Sequence, residues 1–333
     1  MAVNRRQFVG SAAAAILAGA HRWQSLEAAE TAGSSALPII DTHQHLWDLS
    51  RLKLSWLEPG GELTRSYVMD DYLRAIEGLN VQRAVYMEVA AATDQLVDEA
   101  EYVIDLCRRK VGPTVAAVIG GRPAEDSFRA YITRYKDSPY VKGVRHILPA
   151  PVDRKSLYSQ KDYQANIQLL GELGMSFDLC MPAERLPDAI KLVDACPETR
   201  FILDHCGNAD PQAFEPARRA GRTSRPPQGD PEQWRRDIAE LARRDRVVCK
   251  ISGIVARANK ENWAAEDLAP IVNHCLEVFG PDRVMFASDW PVCTRVASLR
   301  QWVEALRSIV AERSEAERRK LFHDNAKRFY GLR

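Results

Sequence analysis

Asp41, His43 and His45 in the run IIDTHQH (39–45), His205 near the end of RFILDHC (200–206) and Asp289 near the end of RVMFASDW (283–290) are the residues best suited to acid–base or metal chemistry. Side chains alternate along an extended strand, so Asp41, His43 and His45 share a face. By the same alternation Phe201, Leu203 and His205 share a face, as do Met285, Ala287 and Asp289. If those faces point to one interior, three strands deliver three imidazoles and a carboxylate to one rim. A lone strand histidine is usually a hydrogen-bonded structural residue, whereas several ionisable groups ending different strands point to a site. Two chemistries stay open. His43, His45 and Asp289 are the ligand types of a zinc centre, which takes three protein ligands, leaves a position for water and lowers that water's pKa to about 7. Without a metal, Asp289 is the general base for water, and His205, His43 and His45 donate hydrogen bonds to a carbonyl oxygen as it becomes an oxyanion.

These residues need a frame. Short apolar or β-branched runs recur at 39–45, 83–89, 115–121, 141–147, 176–181, 200–206, 247–253 and 283–290. Their starts are spaced by about 35 residues on average, the length of one strand–crossover–helix unit. Between them lie helical patterns such as DQLVDEAEYVIDLCRRK (94–110) and PDAIKLVDAC (187–196), apolar at three- and four-residue intervals. Eight such units predict an α/β fold, a (β/α)8 TIM barrel. A doubly wound open sheet is the alternative, but no Gly-rich phosphate turn follows the first strand. Residues 207–231, rich in Pro, Gly, Arg and Asp, read either as a long βα loop at the C-terminal mouth or as a disordered surface insertion.

Composition narrows the partners. The 333 residues carry 46 Lys and Arg against 45 Asp and Glu, a net charge of +1, which gives no field to steer nucleic acid or an anionic membrane. The seven cysteines lack CxxC spacing and read as buried small hydrophobes, with neither a disulfide framework nor a zinc knuckle. At the start, NRRQFVG (4–10) runs into SAAAAILAGA (11–20). The order of arginine pair, short apolar run and small-residue exit resembles a twin-arginine export signal, the alternative being a frayed basic helix. The apolar run is too short for a stable membrane anchor. The expected organisation is a signal peptide over 1–30, cleaved near Ala20 or Ala29, a linker over 31–37 and one catalytic domain over 38–333. The implied partner is the twin-arginine export machinery, and the implied location the bacterial periplasm. No sequence feature sets an oligomeric state.

The ordered strings DTHQHLWD (41–48), VKGVRH (141–146), FDLCMP (177–182), LDHCG (203–207), CKISG (249–253), FASDWPV (286–292) and NAKRFYGL (325–332) resemble the amidohydrolase superfamily, specifically its amidohydrolase-2 branch. Within that branch the chain is similar to the sugar-lactone and muconolactone hydrolases, a group that includes L-fuconolactonases, L-rhamnonolactonases and dicarboxypyrone lactonases. The resemblance implies a hydrolase that opens the ester bond of a small lactone. Metal-using relatives take a further ligand from the fifth strand, as a His before Pro or a carboxylate. Here that strand ends in Leu179-Cys180-Met181-Pro182, and alternation sets Cys180 opposite Phe177, Leu179 and Met181. No required metal is therefore the first expectation, with zinc or another divalent ion possible.

Substrate contacts follow from the same strands. Arg145, on a face with Gly143, could anchor a substrate carboxylate or hydroxyl, or pair with a neighbouring strand; His146 points to the other face. Glu88 could bind sugar hydroxyls or be a solvated cap. Lys250 could hold substrate or neutralise Asp289. Trp290, like Trp47 and Trp56, could stack on a sugar's apolar face or pack in the core. Ser288 lacks the elbow motif of a nucleophile. Two other functions compete. A zinc-dependent decarboxylase or hydratase of the same branch would carry a fifth-strand His, and a non-catalytic exported binding protein would have lost a rim residue, yet Asp41, His43, His45, His205 and Asp289 are all present.

Overall fold

The computed structural model describes residues 37–147 and 157–332. Eight parallel strands follow one another in chain order: β1 (Ile39–Gln44), β2 (Val81–Met87), β3 (Thr114–Gly120), β4 (Val141–Arg145), β5 (Ser176–Leu179), β6 (Arg200–Leu203), β7 (Val247–Ile251) and β8 (Val284–Phe286). A parallel bridge between Gln44 and Trp290 joins the last strand to the first. This is the (β/α)8 barrel expected from the spacing, and the sequential strand order rules out the doubly wound sheet. The crossovers are α1 (Met69–Ile76), α2 (Leu96–Arg108), α3 (Phe128–Thr133), α4 (Lys161–Glu172), α5 (Leu186–Ala195), α6 (Pro231–Ala242) and α7 (Ala265–Phe279), followed by α8 (Leu299–Ile309) and α9 (Asn325–Tyr330). Local sequence sets their starts. Asp230 accepts from the Glu232 amide just before Pro231, and Ser298 and Gln301 form a reciprocal capping box on α8.

The wall separates two apolar layers. Phe177, Leu179, Phe201, Leu203, Val247 and Ile251 pack outward among the helices. Ile40, Val85, Met87, Ala116, Ile202 and Met285 fill the interior, joined by Ala326, Tyr330 and Leu332 from the C-terminal segment. That segment is tied to the N-terminal ends of β6 and β8, through Arg200 donating to the Phe329 carbonyl and Asn325 donating to the Val284 carbonyl. It leaves the opposite end of the barrel for the site.

Three facing assignments from alternation fail. On β1 Ile40 points inward, which turns Asp41 to the helix side, where it accepts from Tyr72 of α1. Phe201 and Leu203 belong to the helix-side layer, so Ile202 and Asp204 point inward on β6. On β5 the outward residues are Phe177, Leu179 and Met181, which turns Asp178 and Cys180 toward the interior. The runs 200–206 and 283–290 are also strand only as far as Leu203 and Phe286; beyond those two residues the chain turns, and alternation no longer applies.

Segment 207–231 is organised. A 3-10 turn (Pro211–Ala213) and a short helix (Glu215–Arg219) are held by paired contacts of Arg225 with Asp210 and of Arg222 with Asp267. The disordered-insertion alternative is thereby set aside. The proposed signal peptide over 1–30 lies outside the described residues, and among the described residues no helix is long and apolar enough to cross a membrane.

Candidate active site

Three imidazoles surround one carboxylate oxygen. The Nε2 atoms of His45, His43 and His205 lie 3.3, 3.7 and 3.9 Å from Asp289 Oδ1. All four residues are buried, with Asp289 4% and His205 8% exposed at the mouth. His43 and His45 come from β1 and its end, where the pairing with β2 is irregular between Asp41 and Gln44. Asp289 and His205 arrive through turns, at φ of 55° and 56°. Left-handed backbone at a non-glycine residue costs of order 1–3 kcal/mol and persists only where the surroundings hold it. At His205 the β7 turn does so: a Cβ on Gly253 would lie 2.4 Å from the ring's Nδ1, so only glycine lets that turn press against the imidazole. The Ser252 hydroxyl meets the same Nδ1 at 2.9 Å.

Beneath this rim lies a buried charge network. Lys250 Nζ is 2.7 Å from Asp178 and 3.1 Å from Asp204, and 3.4 Å from His43 Nδ1. It pairs with these two acids and not, as one expectation had it, with Asp289. Arg145 donates through Nε to Glu88 at 2.7 Å and through Nη2 to the Glu88 carbonyl at 2.7 Å, and its Nη1 donates to His43 Nε2 at 3.2 Å. The same Nη1 is 3.5 Å from Asp204. Of the two roles considered for Arg145, the structure shows the ion pair.

Asp204 and Asp178 are the members that sequence reading missed. Asp204 stands beside His205 in the LDHCG string, but the reversed facing of β6 hid it. Burial alone would raise the Asp204 carboxyl, yet Lys250 and His43 hold it well below the ordinary carboxylate range. Burial raises Asp178 to about 7, against the pull of Lys250. Burial pushes both His43 and His205 below the ordinary imidazole value, so both rings are neutral near pH 7.

Hydrogen-bond chemistry assigns the ring protons. Arg145 can only donate, so Nε2 of neutral His43 accepts from it at 3.2 Å; the ring proton is then on Nδ1 and is directed to the Asp204 carboxylate at 3.4 Å, past Lys250 Nζ at the same distance. The Met87 carbonyl can only accept, so His45 Nδ1, 2.9 Å away, carries hydrogen. The Asp289 carboxylate can only accept as well, so of the rings around it only one carrying hydrogen on Nε2 bonds to it, and His43 Nε2, which accepts from Arg145, does not, which corrects its expected donor role.

The remaining candidates divide. Asp41 is buried but ties elements together, accepting from Tyr72 of α1 at 2.7 Å and from the Ser288 amide and hydroxyl at 2.8 and 2.6 Å. Ser288 is thus spent on structure. His146 stacks on Tyr163 of α4 at 6.2 Å, on the helix side, and Trp290 lies edge-on to Tyr67 and Tyr72 at 5.5 and 5.3 Å, the packing alternative. Glu88 is the fully buried partner of Arg145, not a solvated cap.

The donor set also fits a metal ion. Ligand atoms of His43, His205 and Asp289 lie within 4.8 Å of one another, as do those of Cys180, Asp204 and His205. His205 therefore joins His43 and Asp289 in the trio, where His45 had been expected, and the inward Cys180 removes the argument that β5 offers no ligand.

A family model described as Amidohydrolase matches residues 40–332. The chain belongs to the amidohydrolase family. It is 29% identical over 299 residues to an L-fucono-1,5-lactonase of Burkholderia multivorans, covering 88% of this chain and 96% of that one. An L-rhamnono-gamma-lactonase of Scheffersomyces stipitis is 22% identical over 351 residues, 90% of this chain and 100% of the relative. Among solved structures, an amidohydrolase from Burkholderia multivorans with bound zinc superposes with a TM-score of 0.76 at 25% identity, covering 89% of this chain and 100% of that one. With lactonases among its relatives and this family's barrel, the protein is a hydrolase.

Proposed function

We propose that this amidohydrolase opens the ring ester of a small, uncharged, hydroxylated lactone, as its sugar-lactonase relatives are named for doing. The observation that carries the reading is the trio of imidazole nitrogens converging on Asp289 above cations that are already paired. A water in that trio donates one hydrogen to Asp289 and turns a lone pair toward the carbonyl carbon. Asp289 takes the proton as the C–O bond forms. With the Ser252 hydroxyl donating to Nδ1, His205 presents Nε2–H to the developing oxyanion, and Arg145 Nη1 adds fixed positive charge nearby. Collapse breaks the ring C–O bond, Asp289 returns its proton to the leaving alkoxide, and the product carboxylic acid ionises.

Charge argues for the substrate class. Glu88, Asp178, Asp204 and Asp289 face only Arg145 and Lys250 as fixed cations among the described residues, and both cations are in ion pairs. An excess of negative charge in a dry site repels a carboxylate-bearing ring and tolerates a neutral one. An opening of about 280 Å³, lined by Cys180 and Asn208 and by the opposite charges of Glu184 and Arg257, offers space of small-ligand size. His43, His205 and Asp289 would hold a divalent ion, with His45 facing the same carboxylate; a bound ion supplies Lewis acidity and a more acidic water. Hydrolysis does not require it on this reading, since Asp289 takes the water's proton and His205 and Arg145 supply positive potential to the oxyanion.

A panel of neutral aldonolactones, a pyrone dicarboxylate and hydroxybenzoates, followed by proton release and by CO2 evolution, tests this. At least tenfold preference for a neutral lactone is expected. Preference for the dicarboxylate overturns the charge argument, and CO2 evolution without lactone opening makes the protein a decarboxylase. Residues 1–30 are proposed as a twin-arginine signal, so replacing Arg5 and Arg6 by Lys should strand active enzyme in the cytoplasm; unchanged export overturns that proposal.

A further inference from the structure

Three of the cysteines meet behind the active site. Cys206 comes from the left-handed turn after β6, Cys249 from β7 and Cys275 from α7, and their sulfurs lie within 4.8 Å of one another. All three side chains are fully buried and unbridged. They sit on the helix side of the wall, in the layer that contains Leu203, Ile251 and Ile271. The Sγ atoms of Cys206 and Cys249 approach the Lys250 carbonyl at 3.7 and 3.8 Å, and Trp234 of α6 donates to the Cys206 carbonyl at 3.0 Å.

We propose that Cys206, Cys249 and Cys275 form a three-sulfur site for a soft monovalent cation, with Cu(I) as its chemistry. Metal–thiolate bonds of about 2.3 Å in a trigonal plane place sulfurs about 4 Å apart, within the spacing seen. Thiolate sulfur selects soft ions over hard ones. Zinc in a structural site takes four ligands; here the cluster offers three sulfurs, and their full burial gives solvent no fourth position. Each S–H that becomes S–Cu sends its proton to solvent, and no electron is transferred.

Binding reaches the active site through the chain itself. Cys206 adjoins His205, and Cys249 adjoins Lys250. Drawing the sulfurs onto one ion shifts both neighbours on the barrel side of the wall, so a loaded protein turns over its lactone more slowly. The three-sulfur site does not depend on the proposed reaction, because its occupancy is read without substrate.

The experiment uses the full, reduced chain under anaerobic conditions, equilibrated with Cu(I) held by a coloured bidentate chelator. Withdrawal of one Cu(I) per chain is expected, with X-ray absorption showing three sulfurs and no nitrogen shell. Cys275→Ala should weaken retention at least tenfold, whereas Cys107→Ala, in α2 and outside the cluster, should not. Loading should lower wild-type turnover at least twofold and leave Cys275→Ala unaffected. No withdrawal from the chelator, a nitrogen–oxygen shell, or wild-type retention by Cys275→Ala overturns the site. If Cys275→Ala does not fold, the absorption spectrum of the wild type still decides. Copper bound through three sulfurs without loss of turnover overturns the coupling alone.

Discussion

The seam between β8 and β1 and the wall from β5 to β7 both carry buried acids and bases, but they are built differently. At the seam, Asp289 faces His43 and His45 at 3.3 to 3.7 Å and has no ion pair with a Lys or Arg among the described residues. Along the wall, Asp178, Asp204 and Lys250 are locked at 2.7 to 3.1 Å. A carboxylate ringed by imidazoles and free of a Lys or Arg pair can take a proton in a reaction, whereas tight opposite charges hold a scaffold. The seam performs chemistry on this comparison, and the wall fixes the orientation of the rings that take part.

The sharpest way to break that division is Asp289→Asn. The amide keeps the size of the side chain but cannot take the water's proton, so kcat should fall at least about a hundredfold, the lower end of general-base contributions. Thermal unfolding should change little. Retained turnover in a folded barrel would move the base off the seam.

Lys250→Met should do the reverse and strike stability first. Removing the cation leaves Asp178 and Asp204 facing each other in the core, and breaking a buried pair costs about 3–5 kcal/mol. Urea unfolding measures the loss. Adding Asp178→Asn removes one stranded charge, and the double variant should recover part of the stability, a coupling expected of groups in contact. Equal stability in Lys250→Met and wild type would mean that the wall is not the scaffold proposed.

The same contrast explains what was legible in the sequence. Strand spacing gave the barrel, because eight apolar runs at one unit's interval have few other ways to pack. Alternation placed Arg145 correctly, while His43 and His45 reach the interior through the irregular pairing after Asp41 and Asp289 through the turn after Phe286. It failed on β5 and β6, where it assumed that the larger apolar residues faced inward. Phe177 and Phe201 instead fill the broad space between wall and helices, and the narrow interior takes Ser176, Asp178 and Asp204. His205 reached the rim despite the reversed facing, because left-handed backbone at residues 205–208 redirects it. Alternation is a property of paired strand, and β6 ends at Leu203. The signal that could have exposed Asp204 was local: an acid directly beside a rim histidine in an otherwise apolar strand.

A smaller effect separates the two regions by pH. Burial lowers the pKa of His43 and His205 from the ordinary 6.5. Their contribution to stability is present above that value and lost as pH falls through it, because the unfolded chain then binds protons that the folded one refuses. Asp178, raised to about 7, acts oppositely, and its cost to the folded state accumulates as pH rises from about 4 toward 7. Asp178→Asn should therefore raise the stability at pH 7 relative to pH 5, compared with wild type, while His205→Asn should shallow the acid-side decline, each by at most about 1.4 kcal/mol per pH unit. Urea midpoints at the two pH values test both signs.

The smallest effect expected is that of metal removal. A dication at the seam would gain from His43, His205 and Asp289, whose ligand atoms lie within 4.8 Å of one another, and from the surplus of carboxylates below them. It would also meet Arg145, whose Nη1 is 3.2 Å from the His43 nitrogen it needs, and Lys250 on the far side of the same ring. Like charges at such distances cost several kcal/mol at the effective dielectric of a protein site, so the ion binds weakly, while Arg145 and the His205 donor already supply positive potential for the oxyanion. Chelated and dialysed enzyme should then retain most of its lactonase rate, and added zinc should change it less than about twofold. Asp289→Asn should behave alike in the presence and absence of zinc if the carboxylate serves as base alone. Loss of activity on chelation, restored at one zinc per chain, would make the seam a metal centre and Asp289 a ligand as well as a base.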